Sequence, residues 1–306
     1  MSGPVRSEDL SPDPEAPPDE PEVEVTPSRE ATIGELTVRR ALPHRARRTV
    51  GAWCFVDHMG PTDGGLDIGP HPHIGLQTVT WLLSGEVLHT DSLGTEQPIR
   101  PGQLNLMTAG HGIAHAEDGR HGPYHGAQLW IAQPEATRHG PPAFAHHAEL
   151  PRVDVGDALA TVLVGTLAGA SSPARTDTPL VGAELALHPG TAEVGLDTSF
   201  EHAVVVLEGR ATVAGVEVTP GHLAHLGLGR DEVALHADDD ARLLLLGGEP
   251  FEATPLMWWN YVARTPDEVQ QAHDDWEAGS DRFGAVPTEL PRVPSQPPIG
   301  LRRPPG

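Results

Sequence analysis

Short apolar runs separated by glycine and proline recur along the chain. Those at 76–83, 103–108, 128–132, 160–164, 202–207, 211–213 and 242–246 have the length and Val/Leu/Thr content of strands, with turn residues between them. This rhythm predicts an all-β sandwich or barrel. One segment departs from it. Thr265 as N-cap, Pro266 at the first helical position and the early acids Asp267 and Glu268 predict a short helix, running through Val269 and Ala272 to Trp276 before Gly279.

A faint internal repeat organises the strands. Leu82-Leu83-Ser84-Gly85-Glu86 followed by Arg100-Pro101-Gly102 is matched by Val206-Leu207-Glu208-Gly209-Arg210 followed by Thr219-Pro220-Gly221. Strand, tight glycine turn, strand and Pro-Gly turn is the layout of a cupin barrel (double-stranded β-helix, or jelly roll). Its double occurrence predicts two tandem barrels joined near Pro151. The expected division is a Pro- and acid-rich disordered tail over 1–30, a first barrel over 31–150, a second barrel plus helix over 151–286, and a Pro-rich tail over 287–306.

Composition narrows the functional classes. The chain has 306 residues with 34 Gly and 32 Pro, which suits many short strands better than long helices. A formal net charge of −23 without a dense basic stripe argues against direct nucleic-acid binding. No run reaches the roughly 18 apolar residues of a membrane span, and the start lacks a secretory pattern. The single cysteine, Cys54, excludes an intramolecular disulfide framework and reads as a buried core residue. A soluble cytoplasmic protein is expected.

The 18 histidines prompt a search for ligand spacing. His71 and His73 flank a proline that favours extended backbone, and residues two apart on a strand share a face. His115 and Glu117 are also two apart, shortly after the glycine-rich stretch 109–112. Two strands that each present two ligands inward can converge on one ion. Three imidazoles and a carboxylate suit one divalent Fe, Mn, Ni, Cu or Zn, and leave open positions on an octahedral metal.

The blocks HPHIGLQTVTWLLSGEVLHTDSLG, PGQLNLMTAGHGIAHAE, HGAQLWIAQP and GGEPFEATPLMWWNYVARTPDEVQQAHDDW resemble the pirin family over about residues 38–283. The resemblance implies two cupin barrels packed face to face, with one metal, usually iron, in the N-terminal barrel. It places the family's ligands on His71, His73, His115 and Glu117. Family members include flavonol dioxygenases (quercetinases) and iron-dependent regulators that bind protein partners. Pirins usually carry Glu where this chain has Gln77. Gln77 shares the parity of His71 and His73 and removes one candidate base near the site.

Two functions follow as expectations. The first is a quercetin dioxygenase that opens a flavonol ring with O2, Glu117 serving as both ligand and base. The second is a redox-sensing, iron-dependent regulator with a protein partner. His89 is read as a structural histidine with a lesser option of orienting a ligand, and His111 as a solvated loop residue. His121, His125, His139, His146 and His147 show no ligand spacing. His202 and His225 read as ordinary residues of a metal-free second barrel, and Trp258 and Trp259 as packing residues.

Overall fold

A computed structural model describes residues 22–33, 36–119 and 122–301. His121 and the first 21 residues of the expected tail lie outside them.

The strand Leu76–Ser84 is buried along nearly its whole length. Val79, Trp81 and Leu83 enter one apolar core and Leu82 another. A strand apolar on both faces must lie between two layers, and this one is central in a seven-stranded antiparallel sheet. Its order is Ala143–His147, Leu104–Thr108, Leu76–Ser84, Tyr124–Ala132, Trp53–Thr62, Leu36–Leu42 and Arg29–Ile33. A four-stranded sheet, in the order Asp67–His73, Ile113–Asp118, Val87–Asp91 and Glu96–Ile99, closes over it to form the first barrel. Val38, Met59 and Leu82 of the larger sheet meet Val87 and Ile99 of the smaller one inside.

The second barrel repeats the plan. A seven-stranded sheet runs Glu24–Pro27, His222–Leu228, Glu201–Glu208, Ala241–Gly248, Leu180–Leu187, Ala158–Val164 and Arg152–Val155. A four-stranded sheet runs Gly190–Gly195, Glu232–Ala237, Ala211–Val213 and Val216–Val218. The repeated turns coincide with the expected ones. Gly85 and Gly209 follow equivalent strands with φ of 92° and 72°, and Gly102 and Gly221 precede equivalent strands with φ of 83° and 89°. All four occupy the left-handed region that glycine enters without steric cost.

The two large sheets pack face to face, with Val79, Trp81, Leu106 and Leu129 against Val205, Leu207, Leu244 and Leu246. Trp53 pins this interface. Its indole N–H donates to the carbonyls of Val181 (3.0 Å) and Gly247 (3.2 Å). The ring lies so close to Gly182 that a Cβ there would sit 2.6 Å from it.

The barrels also exchange their ends. Glu24–Pro27 pairs with His222–Leu228 of the second barrel, which corrects the expectation of a disordered tail through residue 30. The physical reason is the alternation Glu22-Val23-Glu24-Val25, a strand pattern embedded in an acidic, proline-rich composition. Val23 and Val25 pack on the second core. In return, the hairpin formed by Leu256–Trp258 and Tyr261–Ala263 and the helix Pro266–Glu277 pack on Ile74 and Ala114 of the first barrel. The helix starts as expected, with Thr265 Oγ1 accepting from Glu268 N at 3.3 Å. The following proline-rich stretch lies against the same barrel, Val293 N donating to Pro70 O at 2.9 Å. Among the described residues no helix is long and apolar enough to cross a membrane.

Several histidines outside the candidate metal site are buried and neutral. Burial, reinforced by His125 and Arg39, lowers His58 to about 3. Burial also lowers His202 to about 4, against a pull upward from Asp197, and lowers His225 to about 4 with Arg47 acting in the same direction. In the unfolded chain each would titrate near its ordinary value of about 6.5. Above that pH the contribution to stability is fully present. As pH falls from 6.5 toward 4 the unfolded state takes up protons that the folded state refuses, and stability is lost. The loss approaches about 1.4 kcal/mol per pH unit for each histidine. Urea midpoints at pH 7.5, 6 and 5 are therefore expected to fall steeply over the last interval. A flat profile would show that these rings are not neutral in the fold.

Candidate metal centre

The strand Asp67–His73 carries two candidate ligands and Ile113–Asp118 the third. The strands pair so that His115 lies opposite His71, while Ile113 lies opposite His73. Pro72 between the histidines keeps the backbone extended, so both rings project from one side. One ligand atom from each of His71, His73 and His115 lies within 4.8 Å of the other two. All three rings are buried. Burial is the main cause that lowers His71 to about 4 and His73 and His115 well below the ordinary imidazole value. The rings are therefore neutral at physiological pH, the state that ligates metal.

Each ring is oriented from its far side. His71 Nδ1 donates to Gly69 O at 2.9 Å, and His73 Nδ1 donates to Asn260 O at 3.0 Å. His115 Nδ1 lies 3.3 Å from His89 Nδ1, and His89 Nε2 lies 3.2 Å from Asp91 Oδ2. A carboxylate only accepts, so His89 carries its proton on Nε2. Its Nδ1 then accepts from His115. This network leaves the Nε2 lone pairs of His73 and His115 facing each other at 3.1 Å. Two lone pairs that close repel unless a cation lies between them. Imidazoles bound at about 2.1 Å on adjacent vertices of an octahedral ion would hold their nitrogens about 3.0 Å apart. The donor set fits a divalent metal.

Glu117 is buried and faces into the barrel, but it is not part of the triad cluster. The register shifts between His115 and Glu117, so Glu117 lies opposite Ile68 on one side and His89 on the other. Burial pushes its carboxyl up to about 7, against a smaller downward pull from the Thr80 hydroxyl. Thr80 Oγ1 also lies 3.0 Å from Gln128 Oε1, and its single proton serves one of these two acceptors at a time. The structure thus gathers three of the four sequence-predicted ligands and sets the carboxylate two residues further along the same strand.

Other expectations divide. Gln77 does not share the face of His71 and His73. Gly75, at φ 67°, breaks the parity between the two strands, and Gln77 lies on the side of Val79 and Trp81, bonded to Thr108 Oγ1 at 3.0 Å. His111 is exposed in its loop, its Nδ1 donating to Gly140 O. Cys54 is fully buried, with its thiol pushed up to about 12 by burial, as a core cysteine should be. Sequence reasoning underrated His89. Its spacing to Asp91, two residues on one strand, was the available signal. The ring is held by Asp91 and stacks on Phe144 at 4.5 Å. Asn260 was missed altogether, because it acts through a backbone carbonyl.

The relay gives a prediction. His89→Leu removes the acceptor that fixes the tautomer of His115, and metal affinity is expected to fall by about 10- to 100-fold. Competition against a chromophoric chelator reads this directly, and an unchanged affinity would make His89 a packing residue only.

The aromatic surroundings are Trp130, edge-on to His73 at 5.3 Å, and Phe55, stacked on Trp130 at 4.0 Å. This buried, apolar, three-histidine centre in the first of two cupin barrels has close relatives. Residues 35–131 match the Pirin family model and residues 182–284 the Pirin C-terminal cupin domain. A Pseudomonas aeruginosa protein that carries the provisional name quercetin 2,3-dioxygenase is 51% identical over 283 residues, 89% of each chain. A pirin-like protein of Caulobacter vibrioides is 36% identical over 266 residues, covering 82% of this chain and 92% of that one. The crystal structure of a quercetin 2,3-dioxygenase from Acinetobacter baumannii superposes with a TM-score of 0.89 at 43% identity, covering 92% of this chain and 97% of that one. With both halves matched in order and the histidines converging inside the first, the chain belongs to the pirin family.

Proposed function

We propose that this chain is an iron-dependent flavonol dioxygenase acting on quercetin-like substrates. The observation that carries the reading is the triad itself: three neutral imidazoles, each oriented from behind, with lone pairs converging in a buried, aromatic-walled space. The names of the Pseudomonas and Acinetobacter relatives support the substrate class.

A bound Fe(II) supplies Lewis acidity toward the flavonol hydroxyl and redox capacity toward O2. The remaining tasks belong to the chain. His71, His73 and His115 hold the ion, and the Asn260 carbonyl and the His89–Asp91 pair keep two of the rings in the ligating tautomer. Trp130, edge-on to His73, contributes the apolar surface beside the ion and helps exclude water, while Phe55, covered by Trp130 and by the Arg40 guanidinium, backs it from behind. Glu117, the nearest carboxylate along the ligand strand, takes the proton of the flavonol hydroxyl. Ring opening places both oxygen atoms of O2 in the product and releases one ring carbon as carbon monoxide.

Anaerobic loading with Fe(II), followed by quercetin and air, is expected to give metal-dependent loss of the flavonol absorbance. Glu117→Gln is expected to keep iron on the triad while lowering turnover by about 100-fold or more. Unchanged turnover would remove Glu117 as the base.

A second reading, an iron-dependent regulator with a protein partner, draws on one contact. The His73–Asn260 bond ties the centre to the hairpin bearing the partly exposed Trp258 and Trp259. A change in metal charge would act on that hairpin. Stoichiometric iron without turnover of any flavonol would favour this reading.

A further inference from the structure

The ligand strand Asp67–His73 lies at an edge of its sheet, with Ile113–Asp118 on one side only. Such an edge offers unpaired backbone groups, and here a segment from the far end of the chain covers them. Residues 291–296 lie beyond the matched C-terminal cupin domain, which ends at 284. Val293 N donates to Pro70 O at 2.9 Å. Gly69, one residue earlier, is pressed against the same segment. A Cβ there would overlap Pro291 O, and the three atoms nearest to it would all belong to Pro291. The Gly69 carbonyl is the group that accepts from His71 Nδ1 at 2.9 Å. The segment thus sits directly behind the contact that orients a metal ligand.

The segment is built to hold its place. Pro291, Pro294, Pro297 and Pro298 restrict it to extended backbone, so little conformational freedom is lost when it docks. Its outer side is clamped to the C-terminal helix and hairpin. Trp276 Nε1 donates to Val293 O at 2.9 Å, Trp258 Nε1 donates to Gln296 O at 3.0 Å, and Ser295 N donates to Glu277 Oε1 at 2.7 Å. The Arg292 guanidinium lies over the Trp276 ring, 3.8 Å from its centroid. These bonds do not involve the triad itself, so any influence on the metal passes through Gly69 and Pro70. Both are joined to His71 along the backbone. A displaced strap would move the Gly69 carbonyl, and the His71 ring with it.

We propose that this C-terminal strap is a positioning element of the metal centre, holding Gly69 O against His71 Nδ1 so that strap docking and metal binding strengthen each other. The inference rests on the metal-binding reading of the triad. Reciprocity is a thermodynamic requirement: whatever factor the docked strap adds to metal affinity, bound metal adds to the stability of the docked strap.

The probe is Co(II), added to the full-length protein, with its Kd read by competition against a chromophoric chelator. Gly69→Ala unseats the strap from the side of the ligand strand. Val293→Pro deletes the donated N–H from the side of the strap and leaves the first barrel untouched. Each is expected to weaken Co(II) binding about tenfold, the low end of the effect of losing an orienting partner. In the wild type, hydrogen exchange of the 288–296 amides, followed by mass spectrometry, is expected to slow by the same factor of about ten on saturation with Co(II). His73→Ala should show no such slowing. The exchange measurement needs no strap substitution, so it decides the matter even if a strap variant fails to fold. A strap that only stabilises the fold would lower the melting temperature of both variants and leave the Kd and the exchange rates indifferent to each other, which overturns the proposal. Wild type that binds Co(II) no more tightly than His73→Ala would overturn the metal-binding reading of the triad, and the proposal with it.

Discussion

Replacing His73 with alanine is expected to leave a folded protein that retains less than a tenth of its metal after dialysis and no metal-dependent turnover. His73 is central to the triad. Its Nε2 lies 3.1 Å from that of His115, and its ring centroid lies 5.0 Å from that of His71. Removal takes away one ligand and strands the Asn260 carbonyl that oriented it. Loss of one orienting partner already costs about 10- to 100-fold in affinity, and loss of the ligand itself should cost more. The fold should survive, because the metal-free wild type also has to tolerate two facing lone pairs, which the substitution relieves. The check is a pair of melting curves. Wild type should gain several degrees on saturation with metal, by about 2.7 kcal/mol at a hundredfold excess over Kd, and the variant should gain none. An equal gain in both would place the metal elsewhere.

Gly75→Ala is expected to be the more damaging change to the fold. Gly75 has φ of 67°, and a Cβ there would lie 2.1 Å from the carbonyl oxygen of Val262. The left-handed conformation alone costs a non-glycine residue about 1–2 kcal/mol. The clash is with backbone rather than a movable side chain, so the hairpin must shift. That hairpin is tied to this turn by Val262 N donating to Ile74 O at 3.1 Å. A loss of about 3 kcal/mol or more is expected, seen as a fall in Tm of roughly 8 °C, together with weakened metal binding because Asn260 moves with the hairpin. A variant that melts normally would show that the hairpin is loosely seated. A variant that melts early but binds metal normally would separate stability from the site.

Much of this was legible beforehand, for local reasons. The strands at 76–83, 160–164 and 242–246 announce themselves by apolar content between turn residues, and each is observed within a slightly longer element. The repeat was readable because Gly85 and Gly209 serve the same steric need in each barrel. The histidine triad was readable because parity along a strand fixes which side chains share a face. Where parity failed, as at Gln77, a glycine turn had intervened. What stayed hidden depends on chain segments distant in sequence. The pairing of Glu24–Pro27 with the second barrel was masked by acidic composition. The Asn260 carbonyl lies 187 residues from the histidine it orients, and a backbone oxygen leaves no mark in the identity of its residue. Trp259, beside it at the hairpin tip, sits at φ 50°, a strained conformation for an aromatic residue.

That same carbonyl ties the centre to the order of synthesis. On the ribosome, His71, His73 and His115 emerge long before Asn260, so the first barrel can close its strands while His73 still lacks the partner that selects its tautomer. High-affinity loading must then wait until the hairpin has been made and has folded back across the nascent chain. A prematurely terminated product would contain all three histidines and is expected to hold metal poorly, so metal retention would report on whether the polypeptide has been finished.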